Sequence, residues 1–195
     1  MKIELTGDGN MENPHQRKKD PERIKQLILD SAIQLAAENG VQGMSIQSVA
    51  TMAGITKGGV FHHFANKQIL VKAMLEELIC QLDREVSTKI ENDQIVYGCF
   101  TRAYIEVTLS SSVGLNSAWG ALCMTVMTDK SFSEMWYQWL DRRLAQHAET
   151  DQSFDLKILR YAADGAWFIE GLIPEPQEDY ETIKQELLLR TYPKE

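Results

Sequence analysis

Cysteine is scarce, with three in 195 residues. Cys80, Cys99 and Cys123 are odd in number, widely spaced and set in apolar helical surroundings. That excludes a disulfide framework and a CxxC-type metal site and leaves them as reduced core thiols. No apolar run approaches the roughly 18 residues needed to span a bilayer, and the first twenty residues lack the apolar stretch of a signal peptide, so a cytoplasmic protein without membrane contact is expected. The mechanistic motifs of common enzymes are missing as well: no GxGxxG, P-loop, HExxH or GxSxG is present, and neither an enzyme nor a cofactor is expected. Glu106, Asp141, Asp164 and His147 could be assembled into an acid–base site on paper, but unpaired carboxylates on helices are usually solvated or salt-bridged. Strand patterning, a solenoid-length repeat and low-complexity tracts are also lacking.

What is present is a chain with 44% hydrophobic residues, long enough for one large core or a core plus a small satellite domain. Its net charge of −8 is unevenly spread. Residues 12–72 hold eight Lys/Arg against five acids, whereas residues 73–195 hold 11 against 21. A weakly basic head could approach phosphate while the acidic body is repelled, which would orient the molecule end-on.

Residues 1–19 carry Gly7, Gly9, Asn10, Asn13 and Pro14 without apolar periodicity and read as a disordered tail, whose Arg17-Lys18-Lys19 could touch a nucleic-acid backbone. A first helix starts at Asp20 as N-cap, with Pro21 at the first helical position and Glu22 where the helix dipole favours an anion. Its stripe is Ile24, Leu27, Ile28, Ser31, Ala32 and Leu35, and Asn39-Gly40 should stop it with a left-handed cap. Two helices too short to stand alone follow. Ser45 caps one whose inner face is Ile46, Val49, Ala50 and Ala53; Gly54 turns the chain; Thr56 caps the second, Lys57 to about Phe64. Asn66 then caps a longer helix. This is a helix-turn-helix in outline, with small residues at the crossing. Helical periodicity continues through about 66–90, 93–111, 116–128, 131–148, 154–173 and 177–191. The expectation is an all-α protein of about nine helices, an N-terminal three-helix domain over 20–66 and a helical domain over 67–195.

The run from Gly40 to Lys67, including Ser45-Ile46-Gln47-Ser48-Val49-Ala50 and Gly54-Ile55-Thr56-Lys57-Gly58-Gly59-Val60-Phe61-His62-His63-Phe64, resembles the signature of the TetR family of bacterial transcriptional regulators. The likeness covers roughly residues 22–70. It implies that the helix from Lys57 enters the major groove of a palindromic operator, and that the larger domain dimerises and senses a small molecule. On that reading the DNA-binding residues are Ser45, Thr56, Lys57, Gly58, Gly59, His62, His63 and Lys67, supplying hydroxyl, ammonium and imidazole donors to phosphate. The two glycines leave the groove-facing surface bare, favouring close backbone approach and shape readout. Many members have Tyr where this chain has Phe61, so one phosphate contact through a hydroxyl is lost. Phe61 and Phe64 are read as core more than as contact residues. Adjacent His62 and His63 point about 100° apart on a helix with no further ligand nearby, so no metal is expected there.

Residues 97–139 are dense in aromatic and soft side chains suited to a pocket for an apolar or aromatic effector. Phe100, Tyr104, Trp119, Cys123, Met127, Trp136 and Trp167 are the candidate ligand contacts, although such a stripe is more often plain core. Ala162-Ala163-Asp164-Gly165-Ala166-Trp167 is similar to a ligand-domain helix of some family members. Leu156, Leu159, Ala163, Ala166, Ile183 and Leu187 make the candidate face of a four-helix homodimer interface. The alternative is that a monomer buries that face internally. The resemblance further implies a repressor: a ligand wedged in the pocket would swing the helix beginning at Asn66 and weaken operator binding. Control by a protein partner in place of a small molecule is the alternative.

Overall fold

The computed structural model describes residues 20–110, 119–120, 129–172 and 179–193, without the side chains of 170–172. Among these residues there is no strand, and nine helices have described ends: α1 Pro21–Gly43, α2 Ile46–Met52, α3 Lys57–His63, α4 Lys67–Glu91, α5 Cys99–Thr108, α6 Lys130–Gln146, α7 Ala148–Asp151, α8 Phe154–Leu172 and α9 Tyr180–Leu189. None is long and apolar enough to cross a membrane. The expected tail over 1–19 lies outside the described residues.

Local chemistry sets the boundaries in the N-terminal third. The Asp20 carboxylate accepts the Arg23 amide at 3.2 Å, satisfying one of the orphan donors of the first turn. α1 breaks at Gly40, as its sequence suggests, but with φ 69° and ψ 161°, a region open only to glycine and distinct from the left-handed cap expected. After α2, Gly54 at φ 65° lets its own amide reach the Thr51 carbonyl at 3.2 Å and the Ile55 amide reach Ala50 at 3.0 Å, a double bond set that closes the helix and turns the chain. Ile28, Ala32, Val49, Ala50, Val60 and Phe64 are fully or almost fully buried, together with Leu70 and Met74 of α4. The start of α4 is therefore part of the head's core, and the same helix continues into the body through Leu78, Leu82 and Val86.

Two charged clamps fix α4 to the body. Asp83 accepts the Trp139 indole N–H at 2.6 Å and the Arg143 Nε at 2.7 Å, and Arg143 also donates to the Asp83 carbonyl and to Ser87. Burial alone would raise the Asp83 carboxyl, but the hydrogen bonds from Arg143 and Trp139 outweigh it and hold the group below its ordinary value. On α5, Glu106 pairs with Lys89 at 2.5 Å.

The 93–111 helix expected from periodicity starts six residues late. Residues 93–98 wrap around the Arg102 guanidinium, which donates to Asp93 at 2.7 Å, to the Tyr97 carbonyl at 2.9 Å, to Ile95, and to the Thr191 carbonyl at 3.3 Å. Gly98, at φ 71°, is where the chain enters α5, and a Cβ there would sit 2.6 Å from the Thr191 carbonyl. Gly98→Ala is therefore expected to combine left-handed strain with a backbone clash. We expect it to cost about 2–4 kcal/mol, read as a lower urea midpoint at unchanged slope.

Gly98 carries no capping side chain, and α5 borrows one. Asp151, 1% exposed at the end of α7, accepts the Thr101 amide at 2.8 Å and the Phe100 amide at 3.3 Å. The Thr101 hydroxyl donates to the same carboxylate at 2.5 Å and accepts from Arg160. A carboxylate at a helix N-terminus satisfies orphan amides and meets the positive end of the dipole.

Behind α5, a second cluster joins Ile105 and Leu109 to Leu156, Leu159, Ala163 and Leu187, with Ala166, Trp167, Tyr180 and Leu188 packed against it. This corrects the expectation that Leu156, Leu159, Ala163 and Leu187 face a partner: each is buried within its own chain and has almost no surface left to offer. Ala166 is half-buried on the same cluster, whereas Ile183 is exposed. The stripe that α8 leaves to solvent is rotated away from the expected one and runs Phe154, Ile158, Tyr161, Ala162 and Ile169. Cys80 is corrected too, since it is exposed on α4, while Cys99 is buried as expected and Cys123 lies outside the described residues.

Candidate nucleic-acid interface

The outer surface of the head is built from three helix starts. Ser45 Oγ accepts the Ser48 amide at 3.0 Å while Ser48 Oγ accepts the Ser45 amide at 2.9 Å, a reciprocal box at the start of α2. Thr56 Oγ1 accepts the Gly59 amide at 3.1 Å, and Asn66 Oδ1 accepts the Ile69 amide at 2.9 Å. The hydroxyls of Ser45 and Thr56 therefore set helix geometry first, on residues that remain exposed.

α3 buries Val60 and, at its end, Phe64, and turns Lys57, Gly58, Phe61 and His62 outward. Gly59 and His63 are half-buried, and the His62 and His63 rings meet edge-on with centroids 5.3 Å apart. Phe64 sits in the core as expected, but Phe61 is corrected: it is 43% exposed, because Val60 and Phe64 already fill the inner face and position 61 falls a full helical step outside it. The Lys57 ammonium lies 5.8 Å from the Phe61 ring, the i,i+4 neighbour it can cover. A Cβ on Gly58 would meet only the Thr56 hydroxyl, at 3.9 Å, so the bare backbone there is open to an approaching surface.

Lys67 plays another part than the one assigned from sequence. Its ammonium donates to the Met44 carbonyl at 2.6 Å and to Gln42 at 3.4 Å, fastening the start of α4 to the loop before α2. Two of its three donors are thereby committed to protein. Exposed residues on α2 that sequence reasoning passed over are Gln47, Thr51 and Met52. A signal was available in the sequence: from Asn39 to Leu75 there is no Asp or Glu, while Lys57, Lys67, Lys72 and both histidines lie in that stretch. Lys57 makes no ion pair among the described residues.

In the body, four of the candidate ligand residues join one aromatic series. Phe100 and Tyr104 have ring centroids 5.9 Å apart, Tyr104 and Trp139 6.4 Å, Trp139 and Trp136 4.9 Å, and Trp136 and Trp119 5.7 Å. Trp136 and Trp119 are half-buried, whereas Phe100 and Tyr104 are sealed in the core. The Tyr104 hydroxyl donates to Asp164 at 2.6 Å. Burial raises the Asp164 carboxyl above its ordinary value despite that bond and the nearby Arg160. Trp167 belongs to the other cluster, and Cys123 and Met127 lie outside the described residues. A cleft of 330 Å³ between α4, α5 and α9, lined by Glu85, Lys89, Glu106, Val107, Ser110, Lys184, Gln185 and Leu188, contains none of the expected ligand contacts. The metal-capable cluster among the described residues is not at His62-His63 but at Cys99, His147 and Asp151.

Residues 28–74, which carry this surface, match the family of bacterial regulatory proteins described as tetR, and residues 98–192 match the tetracyclin repressor-like C-terminal domain. The chain belongs to the TetR family. The Tn10 TetC protein of Escherichia coli is 32% identical over 81 residues, 42% of this chain and 41% of that one. The match thus spans about two fifths of that relative's length, and lies close to that share in the AcrR regulator of Shigella flexneri, 31% identical over 81 residues, 40% of this chain and 38% of the relative. Over most of the chain the fold is shared with a TetR family member of Streptomyces coelicolor A3, with a TM-score of 0.66 at 22% identity, covering 87% of this chain and 99% of that one. The family is one of regulatory proteins, and α3, Lys57–His63, lies within the residues 28–74 that match it.

Proposed function

We propose that the chain is a dimeric, sequence-specific DNA-binding regulator, and that α3 is the helix it lays in the major groove. The observation that carries this is the exposed, acid-free face of α3, with Lys57 unpaired among the described residues, Gly58 open and Phe61 outward. Lys57 supplies charge to phosphate or a guanine edge, Phe61 an apolar surface suited to thymine methyls, and Gly58-Gly59 the clearance for close approach. Ser45, Thr56, His62 and His63 complete the contact as short polar donors at the rim. Lys67 acts chiefly by holding α4 against the α2 loop, so any tilt of α4 is passed to the head.

The dimer uses the outward stripe of α8, Ile158, Tyr161, Ala162 and Ile169, together with Ile183 and Leu189 of α9. These apolar side chains are exposed in the single chain, and apolar surface left to solvent on two packed helices supports an interface there. Replacing Ile158 and Tyr161 by Glu should leave the fold intact and weaken dimerisation at least about 100-fold, about 2.7 kcal/mol, in sedimentation equilibrium. Unchanged dimer affinity would place the interface elsewhere.

The effector is a small apolar or aromatic molecule seated against the half-buried Trp119 and Trp136, which lead to the buried Trp139, and the protein acts as a repressor released by it. Support comes from the aromatic composition of that region and from the Asp83 clamp, which joins Trp139 to the helix that carries the head. The function as a whole is tested by fluorescence anisotropy on DNA flanking the protein's own gene. Lys57→Ala should weaken binding and lower the slope of log affinity against log salt by about 1. Binding of equal strength and slope in wild type and variant would remove α3 from the interface.

A further inference from the structure

Three side chains of different ligand chemistry meet where α5 begins. Cys99 is the first residue of α5, His147 caps the end of α6 and Asp151 closes α7. Their ligating atoms lie within 4.8 Å of one another, with Cys99 Sγ 3.8 Å from His147 Nδ1. Each is fixed by something other than its neighbours in the trio. The imidazole stacks on Phe100, ring centroids 5.5 Å apart and planes 9° from parallel. The Asp151 carboxylate is held by the Phe100 and Thr101 amides and by the Thr101 hydroxyl. Cys99 is set by the helix start itself.

We propose that Cys99, His147 and Asp151 form a binding site for a divalent transition ion of the zinc class, taking a thiolate sulfur, an imidazole nitrogen and a carboxylate oxygen. A tetrahedral ion with bonds of about 2.3 Å to sulfur and about 2.0–2.1 Å to nitrogen separates those two atoms by about 3.6 Å, close to the 3.8 Å observed. Thiolate and imidazole donors select against magnesium and calcium, which take oxygen shells. Three protein ligands leave one position for water.

The carboxylate can supply the oxygen at low cost. Thr150 Oγ1 donates to Asp151 Oδ2 at 2.7 Å but also lies 3.2 Å from the His147 carbonyl, so its proton has a second acceptor when the ion takes Oδ2. Binding forms the sulfur–metal bond as the Cys99 S–H bond breaks, releasing one proton to water. The site also lies in line with the head. The His147 amide donates to the Arg143 carbonyl at 3.1 Å, and the Arg143 side chain holds Asp83 of α4. An ion bridging Cys99 and His147 would fasten the end of α6 to α5 and so bear on α4, separately from any aromatic effector.

The test is metal retention by the full chain, which is independent of DNA binding. The protein is stripped with chelator, incubated with zinc chloride, desalted and analysed for metal, with cobalt(II) substitution to read the ligand set from the visible spectrum. Wild type and Cys80→Ser should each retain one zinc per chain and show sulfur-to-cobalt charge transfer. Cys99→Ser should lose the charge-transfer band and at least 90% of the metal, and His147→Gln, at a half-buried position, should lose the metal while keeping the wild-type circular dichroism. Zinc should raise the melting temperature of wild type and leave that of both variants unmoved. Failure of wild type to retain stoichiometric zinc, or retention undiminished in His147→Gln or Cys99→Ser, overturns the site.

Discussion

Asp151→Ala should be among the most damaging single substitutions in the body, lowering stability by about 3–5 kcal/mol and the melting temperature by on the order of 10 °C. The carboxylate is 1% exposed and serves five groups at once: the Phe100 and Thr101 amides, the hydroxyls of Thr101 and Thr150, and the buried Arg160, whose guanidinium lies 4.0 Å away. Removing it leaves two amides of α5 without an acceptor and takes the ion-pair partner from a buried guanidinium, the condition under which breaking a buried pair is most costly. Replacing both charges, as Asp151→Leu with Arg160→Met, should recover part of the loss, because the uncompensated charge goes with its partner. Thermal unfolding of the single and double variants measures both effects. A loss below about 1 kcal/mol for Asp151→Ala would mean that the α5 cap contributes little.

Gly58→Glu should have the opposite profile, abolishing DNA binding while hardly touching the fold. An added side chain at Gly58 meets only the Thr56 hydroxyl, at 3.9 Å, and points away from the core. Its folding effect is therefore that of an exposed helix position, within about 0.5 kcal/mol. At the groove, the same side chain would put a carboxylate among phosphates where clearance and positive charge are needed. An affinity loss of at least about 100-fold is expected, about 2.7 kcal/mol, with the melting temperature unchanged. Gly58→Ala separates bulk from charge: a modest loss of affinity with equal or higher stability is expected, since alanine favours a helix by up to about 1 kcal/mol. Equal DNA affinity in wild type and Gly58→Glu would show that this face of α3 does not approach a duplex.

The parts of this protein that could be read from its sequence are those decided within a few residues. Asp20-Pro21-Glu22, Ser45, Thr56 and Asn66 each announce a helix start because the acceptor and the amide it serves are three residues apart. Gly54 announces the turn because only its backbone takes φ 65° without strain. Features made by residues far apart were hidden. The cap of α5 comes from Asp151, some fifty positions away, and the late start of that helix depends on Arg102 reaching both residues 93–97 and Thr191. Periodicity told that α8 has an apolar face but not which of two faces the rest of the chain would claim, since Leu156, Leu159 and Ala163 are no more apolar than Ile158, Tyr161 and Ile169. Lys67 looked like a phosphate ligand because charge is visible in sequence, whereas the Met44 and Gln42 carbonyls that engage it are not. Phe61 was misjudged for a related reason: aromatic side chains usually bury, and only the packing of Val60 and Phe64 shows the inner face to be full.

The most direct test of the central claim is a hydroxyl-radical footprint of the full chain on duplex DNA selected from a random library. A palindromic site is expected, with two protected patches on one side of the helix, centred about 34–36 Å apart or a multiple of that spacing, and lost together in Gly58→Glu. Protection without sequence preference, a single unrepeated patch, or an unchanged footprint in Gly58→Glu would contradict it.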